Sequence, residues 1–251
     1  MAFSPDGKML AAAAGPWMRL WDTTTGKELA SDAWKPHDGG PVYDLAFAPD
    51  GKMLATGSRD VRLWELDSIK KQPPMKWGPG GWMTMLAFRD DKVIAAYESL
   101  EKGSGVRLMG PSQPQRDWFK PRDRAESMAL SSDGKQLCFG TRGGNEMWEV
   151  TDKFRNEPRV RHADRVIRQT AFTPDGKTVV SASRQAVGSS GRPIVLVWKP
   201  DSAEDKDRSW DVPDVGGFAL ASDGRHVVLV DTTGTVYILR LNDPPVRPPT
   251  R

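Results

Sequence analysis

Phe47-Ala48-Pro49-Asp50-Gly51-Lys52 recurs in six versions along this 251-residue chain. The others are Phe3-Ser4-Pro5-Asp6-Gly7-Lys8, Phe88-Arg89-Asp90-Asp91-Lys92, Leu130-Ser131-Ser132-Asp133-Gly134-Lys135, Phe172-Thr173-Pro174-Asp175-Gly176-Lys177 and Leu220-Ala221-Ser222-Asp223-Gly224-Arg225. Each places an apolar residue before a tight turn and a basic residue after it. Pro pre-sets φ and Gly tolerates a positive φ, so Pro-Asp-Gly is turn chemistry. The third version is one residue short and lacks the Gly. From Asp6 to Asp50 is 44 residues, from Asp50 to Asp133 is 83 and covers two units, and steps of 42 and 48 lead to Asp175 and Asp223. A period in the low forties points to a repeat architecture.

The same parts surround every turn. A strand precedes it, as in Tyr43-Asp44-Leu45-Ala46-Phe47. A nearly continuous apolar run follows it, as in Met53-Leu54-Ala55-Thr56 or Thr178-Val179-Val180-Ser181. Continuous runs predict strands covered on both faces. A third strand then ends in Trp: Met18-Arg19-Leu20-Trp21, Val61-Arg62-Leu63-Trp64, Glu146-Met147-Trp148 and Leu196-Val197-Trp198, with Met109 and Leu239 in the Trp place of copies 3 and 6. The polar stretch before the next copy has room for an outer strand. Four-stranded sheets buried on both faces must stack, and stacking around an axis gives a β-propeller.

The copies resemble WD40 repeats. Phe-Ser-Pro-Asp-Gly-Lys, an apolar strand, then Val-Arg-Leu-Trp followed by Asp22 or Glu65 is that family's pattern, and Arg19-Leu20-Trp21-Asp22-Thr23-Thr24-Thr25-Gly26-Lys27-Glu28 is close to it. The resemblance covers about Ala2 to Leu241. It implies an all-β, WD40-type propeller of about six four-stranded blades, with copies at approximately 2–30, 37–70, 79–112, 121–153, 161–202 and 213–241. Residues 242–251 form a Pro-rich tail. The resemblance also implies a buried His, Ser/Thr, Asp and Trp tetrad. Copy 2 offers His37, Ser58, Asp60 and Trp64; copy 5 offers His162, Ser183 and Trp198 without a clear Asp.

In this family the ring closes by pairing an outer strand from one terminus with the blade at the other. The chain begins inside the first strand of copy 1, whose turn arrives three residues after Met1, and copy 6 is followed by the short tail. Ring closure is therefore expected to be incomplete or imperfect. The chain reads either as a fragment of a larger, seven-bladed propeller or as six blades closing imperfectly, and the first reading is preferred.

Composition excludes several classes. With 36 basic and 33 acidic residues the net charge is +3, which argues for neither nucleic acid nor membrane. The basic, aromatic stretch Arg116 to Arg124 reads as a connector between blades. A single cysteine, Cys138, excludes an intrachain disulfide and a multi-Cys metal site. No run is long and apolar enough to span a bilayer, and the N-terminus does not read as a secretory signal, so a cytoplasmic protein is expected. His37 and His162 stand where structural histidines belong, and Thr173 to Thr178 lacks the leading Gly and following helix of a phosphate loop. No catalytic residue, cofactor or metal is expected.

Binding remains. Positions that differ between copies are free to recognise a partner. The residue seven before each turn aspartate is Tyr43, Thr84, Glu126, Arg168 or Gly216. By resemblance it lies near the propeller's top face, together with the loop between second and third strands, which carries Arg59, Arg142 and Arg184. The expectation is a partly basic face binding an acidic or phosphorylated peptide or protein segment through Arg forks. A scaffold of this kind is the first reading. A regulatory or sensor segment of a larger multidomain protein, attached for instance to a kinase or protease, is the alternative. A propeller enzyme comes last, and oligomeric state is not legible.

Overall fold

A computed structural model describes residues 1–241 apart from 31–33, 69–73, 78–80, 100–102, 111–115, 151–156, 185–192, 203–206, 213–214 and 222. The chain forms two compact units, Met1–Lys120 and Pro121–Arg251. Each contains three small antiparallel sheets, or blades, in which strands adjacent in sequence are adjacent in space. The described residues contain no α-helix and a single 3-10 turn, Leu66–Ser68.

In the first unit, blade 1 comprises β1 (Ala2–Phe3), β2 (Met9–Ala14), β3 (Trp17–Asp22) and β4 (Glu28–Ala30). Blade 2 comprises β5 (Asp44–Phe47), β6 (Met53–Gly57), β7 (Val61–Glu65) and β8 (Met75–Trp77). Blade 3 comprises β9 (Trp82–Arg89), β10 (Lys92–Ser99), β11 (Gly103–Met109) and β12 (Arg116–Phe119). The stretch read as a connector, from Arg116, is thus the outer strand of blade 3, paired with β11.

In the second unit, blade 4 comprises β13 (Ala125–Leu130), β14 (Gln136–Thr141), β15 (Gly144–Glu149) and β16 (Arg159–Arg161). Blade 5 comprises β17 (Val166–Phe172), β18 (Val179–Arg184), β19 (Ile194–Trp198) and β20 (Arg208–Asp211). Blade 6 has three strands among the described residues: β21 (Val215–Leu220), β22 (His226–Asp231) and β23 (Val236–Arg240). The tail at 242–251 lies outside the described residues.

The second strand of a blade is buried because both of its faces meet apolar side chains. Between blades 2 and 3, Ala55, Val61 and Leu63 pack with Met83, Leu86, Phe88, Val93 and Tyr97. Between blades 4 and 5, Cys138 and Met147 pack with Ile167, Val179, Leu196 and Trp198. Each such residue removed from water contributes roughly 1.5–3 kcal/mol, so the pairing of blades stabilises what one small sheet cannot.

The turns register these strands. Ser4 Oγ donates to Asp6 Oδ1 at 2.7 Å, Lys8 N–H donates to the same oxygen at 3.0 Å, and Met9 N–H returns to Ser4 Oγ at 2.9 Å. Ser131 with Asp133 and Thr173 with Asp175 repeat the arrangement. The hydroxyl and then the backbone donor hold all three carboxyls below their ordinary range. In the short third version Asp90 itself takes a φ of 54°, the left-handed conformation that Gly supplies elsewhere.

Two side chains fasten neighbouring blades through the backbone. Asp44 Oδ2 accepts the Leu86 N–H at 2.7 Å, and Gln169 Oε1 accepts the Phe218 N–H at 2.7 Å. Both stand six residues before a turn aspartate. Ser127 holds the same place in blade 4, and its buried hydroxyl has no partner among the described residues.

Candidate functional site

Four of the six strands that precede a turn carry an irregularity that the sequence does not announce. In β9, β13, β17 and β21 the pairing register shifts by one, and Thr84, Glu126, Arg168 and Gly216 are the residues passed over. Each is the extra residue of a β-bulge. A bulge breaks alternation and re-aims its side chain away from the ladder. The residues that vary most between copies are therefore the ones released from sheet packing. In blade 2 the ladder ends at Asp44, and Tyr43 stands beyond it, 48% exposed.

The bulges lie at the blade ends formed by the hairpins between second and third strands. Arg59 sits in the β6–β7 hairpin and Arg142 in the β14–β15 hairpin, both exposed. Arg184 is the last residue of β18, and its side chain and the loop after it lie outside the described residues. In the first unit Thr84 bends back to its own sheet, donating to the Ala96 carbonyl at 3.4 Å.

The second unit brings three of these positions together. Arg168 Nη1 donates to Glu126 Oε2 at 2.9 Å, and Arg142 Nε donates to Glu126 Oε1 at 3.4 Å. Two guanidinium groups share one carboxylate, leaving one net positive charge. Arg168 Nε is buried and has no partner among the described residues. Beside it opens a cavity of about 340 Å³ lined by Arg168, Gln169, Ala182, Ser183, Val215, Gly216 and Thr232. Gln169 is committed to Phe218, so Arg168 is the charged group of this wall.

The polar networks beneath the blades differ from the tetrads drawn above. In blade 2, Trp64 Nε1–H donates to Thr56 Oγ1 at 3.0 Å, Thr56 Oγ1 lies 2.9 Å from His37 Nε2, and His37 Nδ1 lies 2.5 Å from Asp60. The carboxylate fixes the proton on Nδ1, so Nε2 accepts from the Thr56 hydroxyl. Thr56, not Ser58, supplies the hydroxyl. β6 ends at Gly57, and Ser58 sits beyond the ladder, its backbone carbonyl accepting from Met83 N–H. Burial, opposed by Asp60, pulls the His37 pKa below its ordinary value. Outside this network Arg62 binds Asp38 and Asp60, and Arg62 holds the Asp38 carboxyl down to about 2.

Blade 5 requires the same correction. Trp198 Nε1–H donates to Ser181 Oγ at 3.1 Å, and Ser183 Oγ instead bonds the backbone of Ile194. Ser181 passes its hydrogen to Asn145 Oδ1 at 3.0 Å. The Asn145 amide donates to His162 Nδ1 at 3.1 Å, and His162 Nε2 donates to Asp207 at 2.9 Å. Asn145 belongs to blade 4, and Asp207 follows His162 by 45 residues, so spacing within one copy hid both. Thr56 and Ser181 each stand six residues after a turn aspartate, a repeat-relative signal that would have found them.

Every histidine nitrogen in these networks is engaged with a fixed partner. Burial pushes the Cys138 thiol up to about 12, which leaves it no thiolate at neutral pH. Among the described residues, no group of three or more His, Cys, Asp or Glu could hold a metal ion, and no helix is long and apolar enough to cross a membrane.

Comparison with known proteins adds one finding. Residues 27–65 match the family model described as WD domain, G-beta repeat. The match runs from the start of β4 through β5 and β6 to the end of β7, so the sequence repeat begins on the outer strand of one blade and ends on the third strand of the next. No curated protein matches the chain. Residues 27–65 thus carry a WD40 repeat, in a chain whose six small antiparallel blades are divided three to each compact unit.

Proposed function

We propose that the chain is a non-catalytic interaction scaffold that grips an acidic or phosphorylated segment of a partner protein on the bulge ends of blades 4 to 6. The cavity beside Arg168 carries this reading. Its charged wall is a guanidinium whose Nε has no partner among the described residues, and its remaining described lining is small or neutral. A carboxylate or phosphate entering there meets a planar fork already oriented by Glu126. Arg142, with a side chain 59% exposed, supplies a second cation that can turn toward the ligand. WD40 domains generally bind proteins, which agrees with this use of the blade ends.

Fluorescence polarisation with phosphoserine-containing and unphosphorylated acidic peptides tests the proposal. Arg168→Ala should weaken binding by about tenfold or more, the scale of losing a charged hydrogen bond. Glu126→Gln removes the competing carboxylate and should strengthen it. Equal affinity in the native and Arg168→Ala proteins would overturn the proposal.

A further inference from the structure

A second cleft, of about 400 Å³, lies in the first unit beside the Pro49-Asp50-Gly51 turn, at the opposite ends of blades 2 and 3 from Arg59. Its floor is apolar: Met53, Leu63, Met75 and Phe88 continue the hydrophobic cluster between the two blades. Its rim is acidic, formed by Asp50, Glu65, Asp90 and Asp91. Among the described residues no Lys or Arg lines it. Among the described residues, neither Asp90 nor Asp91 makes a side-chain hydrogen bond or ion pair.

Blades 3 to 5 show what is missing, whereas blade 1 has Ala30 at the same place, opposite Leu20. The outer-strand residue paired with the position before the Trp place is Arg116 in blade 3, Arg159 in blade 4 and Arg208 in blade 5. In blade 2 it is Met75, opposite Leu63. The corresponding clefts of the second unit contain that arginine. Arg208 and Arg225 line one beside Asp175 and Asp223. In the other, Arg159 reaches Asp201 at 3.7 Å beside Glu149 and Glu157. The first of those clefts matches two carboxylates with two arginines, and the second sets one arginine among three carboxylates. The blade 2 cleft keeps the acids and replaces the internal cation with a flexible thioether, which packs against alkyl chains of varied shape.

We propose that this cleft is a second docking site, taking a basic and apolar segment of a partner protein. The partner's Arg or Lys lays its alkyl stem on Met53 and Met75 and presents its charged head to Asp90 and Asp91, occupying the place that an arginine of the chain itself fills in other blades. The site is independent of Arg168 and goes beyond the acidic-segment reading.

The test uses the whole chain and three fluorescein-labelled peptides, alternating Leu with Arg, Leu with Glu, and Ser with Arg. The Leu/Arg peptide should bind saturably, more tightly than the other two, and less tightly as salt rises. Met75→Arg, which installs the residue of blades 3 to 5 at a half-exposed position, should weaken it about tenfold or more. Asp90→Asn combined with Asp91→Asn should also weaken it, since Asn tolerates the positive φ of residue 90. Arg168→Ala should leave it unchanged, so the two sites fail separately. Absence of saturable Leu/Arg binding, equal binding of the Leu/Glu peptide, or undiminished affinity in Met75→Arg would overturn the proposal.

Discussion

The Asp44 carboxylate accepts the backbone N–H of Leu86 at 2.7 Å, joining blade 2 to blade 3 through a half-buried side chain. Burial pushes its pKa up, with the backbone donors of Leu86 and Leu45 acting against it. What the bond requires is an acceptor oxygen; the charge itself is penalised by burial. Asp44→Asn keeps an oxygen there and should leave urea stability at pH 7 unchanged or raised. Asp44→Ala strands the Leu86 N–H and should cost about 1–3 kcal/mol. Urea titrations of the two variants check this, and equal losses in both would show that the charge matters.

Thr56 rather than Ser58 links Trp64 to His37, so the two hydroxyls should differ on removal. Thr56→Val leaves both the indole N–H and His37 Nε2 buried without partners and should cost about 2–4 kcal/mol. Ser58→Ala should cost about 1 kcal/mol or less. The comparison is a pair of thermal or urea melts, and a larger loss in Ser58→Ala would contradict the network.

The His37 pKa is lowered in the folded chain, chiefly by burial, so the unfolded chain binds the proton more tightly. The stability this contributes is fully present above the unfolded value, near ~6.5, and is lost as pH falls from there through the lowered folded value. The turn aspartates Asp6, Asp133 and Asp175, also lowered, act in the same direction but only below about pH 4. Two separate declines are therefore expected in stability against pH. His37→Gln should flatten the upper one and leave the lower. An upper decline that persists undiminished in His37→Gln would contradict the assignment.

Cys138 is fully buried, and its pKa stands near 12. Native protein should resist thiol reagents at pH 8 and react fully in denaturant. Rapid labelling of the native chain would show that β14 opens far more readily than its packing implies.

How much of this was legible varies with the distance between the interacting residues. The turns and strands repeat at a fixed period and depend on local chemistry, so Pro49-Asp50-Gly51 placed β5 and β6 without further information. The blade 5 network was not legible, because Asn145 and Asp207 flank His162 from different copies. The bulges at Thr84, Glu126, Arg168 and Gly216 were not legible either, since one extra residue in a ladder leaves no compositional mark. Sequence comparison between copies nevertheless singled out the same column, because side chains released from packing are free to differ. The pairing of Arg168 and Arg142 with Glu126 is the refinement the structure makes. The face is less basic than a count of its arginines suggests.

The most direct measurement is the affinity of an acidic phosphopeptide for the native chain, Arg168→Ala and Glu126→Gln at one salt concentration. The account predicts that affinity falls about tenfold or more in Arg168→Ala and rises in Glu126→Gln. Indistinguishable affinities in all three proteins would contradict it.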